Sequence, residues 1–504
     1  MPILKQPLPL ETICVQLLAE ALQVSFTNIE NLKCDDSVQD NISSVELQKE
    51  VELHLDGLPG PILEVVLPEV LHQLLIKLIN KKTTKGLIVA LDALLRPSLK
   101  SVDLGKLFYG TRLPRKITQP CEALLPTKFM YMKNLCELEL LSRCTDDILL
   151  TLARCCTSLK KLDISYSDLV TDDGLRYLCG QTDNEESDCN GPCKGCKEIE
   201  WLGLQKLWET TVDGVLVVVE NLPKLNYLRY DQIGEIFSRK LNGNKCSFSE
   251  SKIPKLLKEY RLTLFDQTYD VFTPSENLVR YIADCCPNIQ MLHVYTADKY
   301  LPSLGMWKMV ETFEVELDGI CGSGLTDYFE SMGLNLVVIH VAFETIEARH
   351  LIALGRCCLN VKQLTLTGSE IFENESLKNE KYFTKLEVFN MQVWCEEGIT
   401  GNLLLYFFSS SGELREISLS AAVRFLDDDF FQSQILAKCL FSKIEVFCVL
   451  GSPEVPLTLN TARRLLLLCP NLNKLSLTRW NDSERNMREF KKEIKLSNYD
   501  MLIT

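Results

Sequence analysis

The sequence predicts an α/β solenoid of stacked strand–helix units, preceded by an all-helical segment. Three observations predict it. One short apolar spacing recurs many times along the chain. Stretches of helical periodicity separate the recurrences. Over the C-terminal half, successive recurrences lie 21, 26, 25, 25, 28, 30 and 28 residues apart, too close for each to bury a core alone.

The spacing is clearest where a cysteine marks it. Taking Cys156, Cys286, Cys358 and Cys469 as anchors, apolar residues fall at the third, sixth and eighth positions beyond each. These are Leu159, Leu162, Ile164; Ile289, Leu292, Val294; Val361, Leu364, Leu366; and Leu472, Leu475, Leu477. Cys196 gives Ile199, Leu202 and Leu204. The register continues without cysteine from Met132, Leu222, Trp307, Gly333, Phe383, Ser411 and Phe441. Arg96 opens a first copy, and Pro254 opens a weaker one with Leu257, Tyr260 and Leu262. The sixth and eighth positions share one strand face, so both point inward. The stretch after each strand has helical spacing, as in Ile148, Leu149, Leu152 and Ala153. Asp172 or Asp173 is expected to cap the helix that follows.

This L-x-x-L-x-L core and its period resemble the leucine-rich repeat over roughly residues 96–480. The anchor cysteine, with Thr171-Asp172-Asp173-Gly174-Leu175 after it, is similar to the cysteine-containing subclass common in F-box-type and related ubiquitin-ligase receptors. The resemblance implies a horseshoe of parallel strands. Its concave face would carry Lys161, Asp163, Gln363, Thr365, Lys474 and Ser476. The anchor cysteines then read as small apolar fillers in a tight corner, not as catalytic thiols.

Two stretches interrupt the repeat, near 180–196 and 232–253. The first, GQTDNEESDCNGPCKGC, is a polar, acidic surface loop. With Cys179 upstream it holds Cys189, Cys193 and Cys196, a thiol set with zinc-ligand chemistry. Cys196 is already an anchor, however, and paired C-x-x-C knuckles are missing. Gly319–Gly324 (GICGSG) lies inside a repeat, lacks nucleotide-fingerprint spacing, and reads as a turn. Residues 481–504 form a charged tail, read as a capping helix or frayed end.

Residues 1–95 do not follow the repeat. In 9–22, Leu10, Cys14, Leu17, Leu18 and Ala21 share one helical face, and Pro9 suits the helix start. Pro9, Leu10, Cys14 and Leu18 resemble a BC-box, the elongin-C-binding element of ligase receptors. That resemblance implies Leu10 as the anchor in a hydrophobic pocket, Cys14 as the close contact and Leu18 as a flanking one. In 58–79, Leu67 and Pro68 precede apolar pairs at Val70-Leu71, Leu74-Leu75 and Leu78-Ile79. This resembles a cullin-2 box, with Leu67, Pro68, Val70, Leu71 and Leu74 as the implied cullin contacts. Leu58-Pro59-Gly60-Pro61 resembles the start of a cullin-5 box, except that Gly60 stands where that family has an apolar residue. The alternatives are an F-box, opened by Leu58-Pro59 or Leu67-Pro68 and docking on a Skp1–cullin-1 scaffold, and a plain cap on the first repeat; the two-stretch layout with Cys14 in the first favours the BC-box reading.

The chain has 54 Lys and Arg against 68 Asp and Glu, a net charge of −14, which disfavours nucleic acid and anionic membranes as partners. No apolar run reaches transmembrane length, and the N-terminus lacks a signal-peptide core. The expectation is a cytoplasmic or nuclear protein with reduced cysteines. There is no Walker loop, no G-x-S-x-G, no clustered histidines among the five and no RING-type cysteine spacing. The sequence therefore reads as a non-catalytic adaptor without cofactors. Elongin B/C and a cullin are the implied partners, and a protein substrate is held on the repeats. A leucine-rich scaffold with no ligase link is the other reading.

Overall fold

The computed structural model describes residues 20, 84–105, 115–181, 193–243, 258–372, 382–394, 399–421, 423–424, 428–437, 441–449, 457–478, 480–497 and 501–503. These residues are α/β throughout, with parallel strands separated by helices, as a solenoid-like repeat requires. Among them no helix is long and apolar enough to cross a membrane. They fall into two compact units, drawn from Leu8–Lys240 with Tyr260–Leu262, and from Leu241–Glu259 with Thr263–Thr504.

In the first unit the helix Thr84–Leu94 precedes the described strands, with Ala90, Leu91 and Leu94 buried. Five short strands follow: β1 (Ser101–Asp103), β2 (Glu137–Glu139), β3 (Lys161–Asp163), β4 (Trp201–Gly203) and β5 (Tyr227–Arg229). They pair in that order, all parallel. The register aligns Val102, Leu138, Leu162, Leu202 and Leu228, the sixth position of every repeat, and each is buried. Two of the strands are cut short by an aspartate of their own. Asp103 Oδ1 accepts from the Gly105 amide at 2.8 Å, and Asp163 Oδ1 from the Ser165 amide at 3.0 Å. The tenth position then turns left-handed at Ser142 (φ 70°), Tyr166 (φ 66°) and Lys206 (φ 52°).

Helices of adjacent repeats are clamped by one device. Asp146 accepts from the Thr171 amide (2.9 Å) and hydroxyl (2.7 Å) one repeat on. Asp172 does the same to Thr211, at 2.7 Å for both. The helix cap is accordingly Thr171, whose hydroxyl accepts from the Asp173 amide; Asp172 reaches forward instead of capping its own helix. Glycine is required beside each clamp. A Cβ on Gly174 would lie 2.1 Å from Asp146 Oδ1, and one on Gly214 would lie 2.1 Å from Asp172 Oδ1. The insertion after Gly180 leaves and returns between two left-handed glycines, Gly180 (φ 77°) and Gly195 (φ 73°), whose backbones touch. The helix Ile233–Gly243 occupies the start of the second interruption, with Ile236 and Phe237 buried.

The second unit holds β6 (Leu264–Phe272), β7 (Met291–Thr296), β8 (Thr312–Leu317), β9 (Val338–Glu347), β10 (Gln363–Phe372), β11 (Val388–Val393), β12 (Ile399–Thr400), β13 (Glu416–Ala421), β14 (Val423–Arg424), β15 (Val446–Val449), β16 (Lys474–Ser476) and β17 (Leu502–Ile503). All but β12 and β14, which pair with each other, form one ten-stranded parallel sheet in chain order. Its central row is Phe265, Leu292, Phe313, Ile339, Leu364, Phe389, Ile417, Phe447, Leu475 and Ile503. The row differs from the sequence expectation at both ends. Phe265, not Tyr260, takes the sixth position, and Leu262 becomes the third; Leu262 is apolar in either register, so spacing alone does not separate them. At the other end, the tail supplies a helix, Glu484–Leu496, and then β17 on the sheet edge.

The anchor position is more than a filler. Cys156 Sγ stands 3.4 Å from the carbonyl of Met132, the preceding anchor, and Cys196 Sγ stands 3.7 Å from that of Cys156. Ser411 makes a similar approach, its hydroxyl lying 3.0 Å from the Phe383 carbonyl and 2.6 Å from that of Phe407. One small donor therefore links each of these anchors to the one before. Burial pushes the Cys156 and Cys469 thiols up to about 12, and raises Cys196 and Cys358 as well. Such thiols stay protonated and inert at neutral pH.

Candidate functional site

Because the sixth and eighth positions point inward, the fifth and seventh stand on the opposite, open face of each sheet. On the first sheet this face carries a continuous contact across four strands. Lys161 Nζ lies 2.6 Å from Glu139 Oε1 and 5.3 Å above the Trp201 ring. Trp201 stacks on Tyr227 with centroids 5.3 Å apart and planes 11° from parallel. The hydrogen bond to Glu139 raises the Lys161 pKa, so the ammonium is a fixed charge. Beyond the strand ends, Lys206 Nζ sits 5.7 Å from the centre of the left-handed Tyr166 ring, and Trp208 is exposed.

On the second sheet, one register row runs Asp266, His293, Glu314, His340, Thr365, Asn390, Ser418, Cys448, Ser476. His293 Nε2 lies 3.5 Å from Glu314 Oε1, and His340 Nε2 lies 3.4 Å from Thr367 Oγ1. Along β8 the acids continue at alternate positions, with Glu316 and then Asp318 exposed just past the strand. The Tyr295 hydroxyl donates to Asp318 at 3.4 Å. Asn390 Oδ1 is buried with no hydrogen-bond partner. The E-V-E-L-D alternation is plain in the sequence. It matches no catalytic or metal-ligand motif.

Of the face residues expected from sequence, Lys161, Asp163, Gln363, Thr365 and Lys474 are exposed or half-buried. Ser476 is a correction: it is only 6% exposed, and its hydroxyl lies 3.0 Å from Thr478 Oγ1. The implied elongin contacts Pro9, Leu10, Cys14 and Leu18 and the implied cullin contacts Leu67, Pro68, Val70, Leu71 and Leu74 lie outside the described residues, as does Cys189. Cys179, Cys193 and Cys196 each have a backbone carbonyl within reach of sulfur, those of Val217, Tyr177 and Cys156. Among the described residues, no three His, Cys, Asp or Glu side chains form a metal-holding group. Gly319, the first glycine of the GICGSG stretch, is left-handed (φ 88°). Asp298 holds both amides of the following turn, its Oδ2 accepting from Gly324 at 2.8 Å and its Oδ1 from Leu325 at 2.9 Å.

No protein-family model matches the sequence. No curated protein matches it either. Among solved structures, the chain is similar to one described as the crystal structure of the Rad7 and Elc1 complex in yeast. Identity is 12%, the match covers 95% of this chain and 89% of that one, and the TM-score is 0.39. At that identity and score the likeness carries no argument about function.

Proposed function

We propose that this chain is the substrate-recognition subunit of a cullin-RING E3 ubiquitin ligase, acting in the cytoplasm, the nucleus or both. Its solenoid is read as leucine-rich repeats of the cysteine-containing subclass. Elongin C, with elongin B, docks on Leu10, Cys14 and Leu18. A cullin-2-like scaffold docks on Leu67, Pro68, Val70, Leu71 and Leu74. The repeats hold a protein substrate on their open strand face. The chain itself performs no chemistry; it supplies proximity and orientation to the partner's conjugating enzyme.

One observation carries the reading. A Pro9-Leu10-x3-Cys14-x3-Leu18 element, followed by a Pro68-started apolar helix pattern, precedes an array of repeats anchored on cysteine. Neither half alone is specific; their order in one chain is what a receptor of this kind needs. The stacked register of the sixth positions supports the second half.

The test is capture. Wild-type chain is expected to pull down elongin C, and Leu10→Asp to lose it, while thermal unfolding of the repeats is unchanged. Retention of elongin C by Leu10→Asp would remove the assignment. Co-purification of Skp1 without elongin C would replace it with the F-box reading.

A further inference from the structure

The open face of the first sheet is polarised from one end to the other. On β1 and β2 it carries Asp103, Glu137 and Glu139 and no cation; on β4 and β5 it carries Trp201, Tyr227 and Arg229 and no acid. β3 stands between with one of each, Lys161 and Asp163. Local pairing leaves one charge over at each end. Lys161 holds Glu139 at 2.6 Å, and the Asp103 and Asp163 carboxylates accept from amides of their own turns. Among the described residues, the exposed Glu137 accepts only from the Ser101 hydroxyl, at 3.2 Å. Arg229 is exposed too, and among the described residues no carboxylate pairs with it. The acid just past β5, Asp231, is only 6% exposed and accepts from Gln205 Nε2 at 2.8 Å. A second, independent feature lies between the two leftover charges. Trp201 and Tyr227 stack on each other, half-buried, on a face that is otherwise polar. Aromatic rings and arginine are the residues that concentrate at the centres of protein-binding surfaces.

We propose that this face binds an extended protein segment crossing the strands, with an acidic, an apolar and a basic side chain at alternate positions. The acid meets Arg229, the apolar side chain lies on the Trp201–Tyr227 pair, and the base meets Glu137. The lengths agree. β2 and β5 are three strand spacings apart, about 14 Å, and an extended chain covers about 14 Å in four residues. Residues four apart in such a chain point to the same side, and so does the one midway. A nucleic acid would also bring planar bases and anions to aromatic rings and arginine. Its phosphates would then continue over Glu137 and Glu139, and the net charge of −14 opposes it. A protein segment supplies the cation that this end of the face needs. The inference deepens the receptor reading, because it names the class of segment that the repeats would hold. It does not depend on elongin C.

The test passes the purified full-length chain over immobilised peptides in surface plasmon resonance, at low salt where charge pairing is least screened. One peptide, GDGFGKG, has the proposed spacing. A second of the same composition, GGFDKGG, sets acid and base side by side, so they cannot reach both ends of the face. The first is expected to bind more tightly. Arg229→Glu is expected to weaken binding to GDGFGKG by about tenfold or more, and to bind GKGFGKG better than the wild-type chain does, because the swapped charges match again. A control with the same change of charge, Arg485→Glu on the C-terminal helix, where that side chain is 87% exposed, should leave both unchanged. A circular-dichroism melt checks that the variants fold. Equal binding of the first two peptides, or an equal loss in the control, would reduce the effect to overall charge and overturn the proposal. No binding of any peptide, or a loss in Arg229→Glu without the gain for GKGFGKG, would also overturn it. A short oligothymidylate that binds more tightly than GDGFGKG and is weakened by Arg229→Glu would replace it with nucleic-acid binding. Elongin C capture is read separately, so its failure would remove the ligase reading and leave this one standing.

Discussion

The two units use the same apolar spacing to build different sheets. In the first, every central residue is aliphatic, and strands last three residues. In the second, Phe265, Phe313, Phe389 and Phe447 alternate with aliphatic partners, and β7 to β11 run six to ten residues. Part of the difference lies at the seventh and tenth positions. The first unit places Asp at the seventh position in Asp103 and Asp163, and that carboxylate caps the amide two residues on. The chain then turns at a left-handed residue. The second unit continues the alternation instead, as in His293-Val294-Tyr295-Thr296, and the ladder continues with it. The core spacing decides that a unit stacks; the residues between and just beyond its apolar positions bear on how long the strand is.

The largest expected effect tests that division. Phe389 packs against Phe407 at 4.8 Å and edge-on against Phe408 at 5.2 Å, all three rings being buried. Phe389→Ala should cost about 3–5 kcal/mol, and Leu162→Ala in the first unit about 2–5 kcal/mol, by transfer and cavity terms together. Denaturant melts with probes in each unit check this. Each loss should spread to neighbouring repeats, because each strand is hydrogen-bonded to the next. Equal small losses at both sites would mean that the central row is not the core.

The next effect is confined to the first unit's clamps. Gly174→Ala forces a Cβ onto Asp146 Oδ1, so either the carboxylate or the helix must shift, at about 1–3 kcal/mol. Asp146→Ala removes both acceptors from Thr171 and should cost about 1–2 kcal/mol. The double variant Gly174→Ala/Asp146→Ala should cost less than the sum, because the steric conflict disappears with the carboxylate. Strict additivity would show that glycine is there for backbone freedom alone. Asp428 makes the same clamp to Thr458 in the second unit, joined by Thr461. The device therefore belongs to the repeat and not to one sheet.

Much of this architecture is legible in the sequence because burial is periodic. The sixth-position row from Leu138 to Leu475 follows from leucine spacing, and the shared inward face from the two-residue period of a strand. The clamp was not legible. Thr-Asp-Asp-Gly-Leu reads locally as a helix start, whereas Asp172 serves Thr211, 39 residues away. The register at Phe265 was missed because Leu262 fits two frames. The strand Leu502–Ile503 was missed because it lacks the leading leucines of its repeat and is recognised only by its partner β16.

The smallest effect separates two accounts of the anchor cysteine. If Cys156 is only a small apolar filler, serine should be worse than alanine, since a hydroxyl brings a desolvation cost that a methyl does not. If its thiol donates to the Met132 carbonyl, serine should be tolerated better than alanine, because it keeps a donor. Ser411 already holds this position in the second unit, with the Phe383 carbonyl 3.0 Å away. We expect Cys156→Ser to cost less than Cys156→Ala by about 0.5–1 kcal/mol, the net worth of one hydrogen bond. The alkaline limb offers an independent readout. In the folded chain burial holds the Cys156 thiol near 12, while in the unfolded chain it ionises near 8.5. The unfolded state therefore binds fewer protons above about pH 8.5, and stability falls as pH rises from there toward 12. Cys156→Ser has no thiol to ionise, so its stability should decline less steeply over that window. If serine proves the worse substitute while the alkaline slope still flattens, the thiol is buried but not bonded, and the filler account stands for the first unit alone.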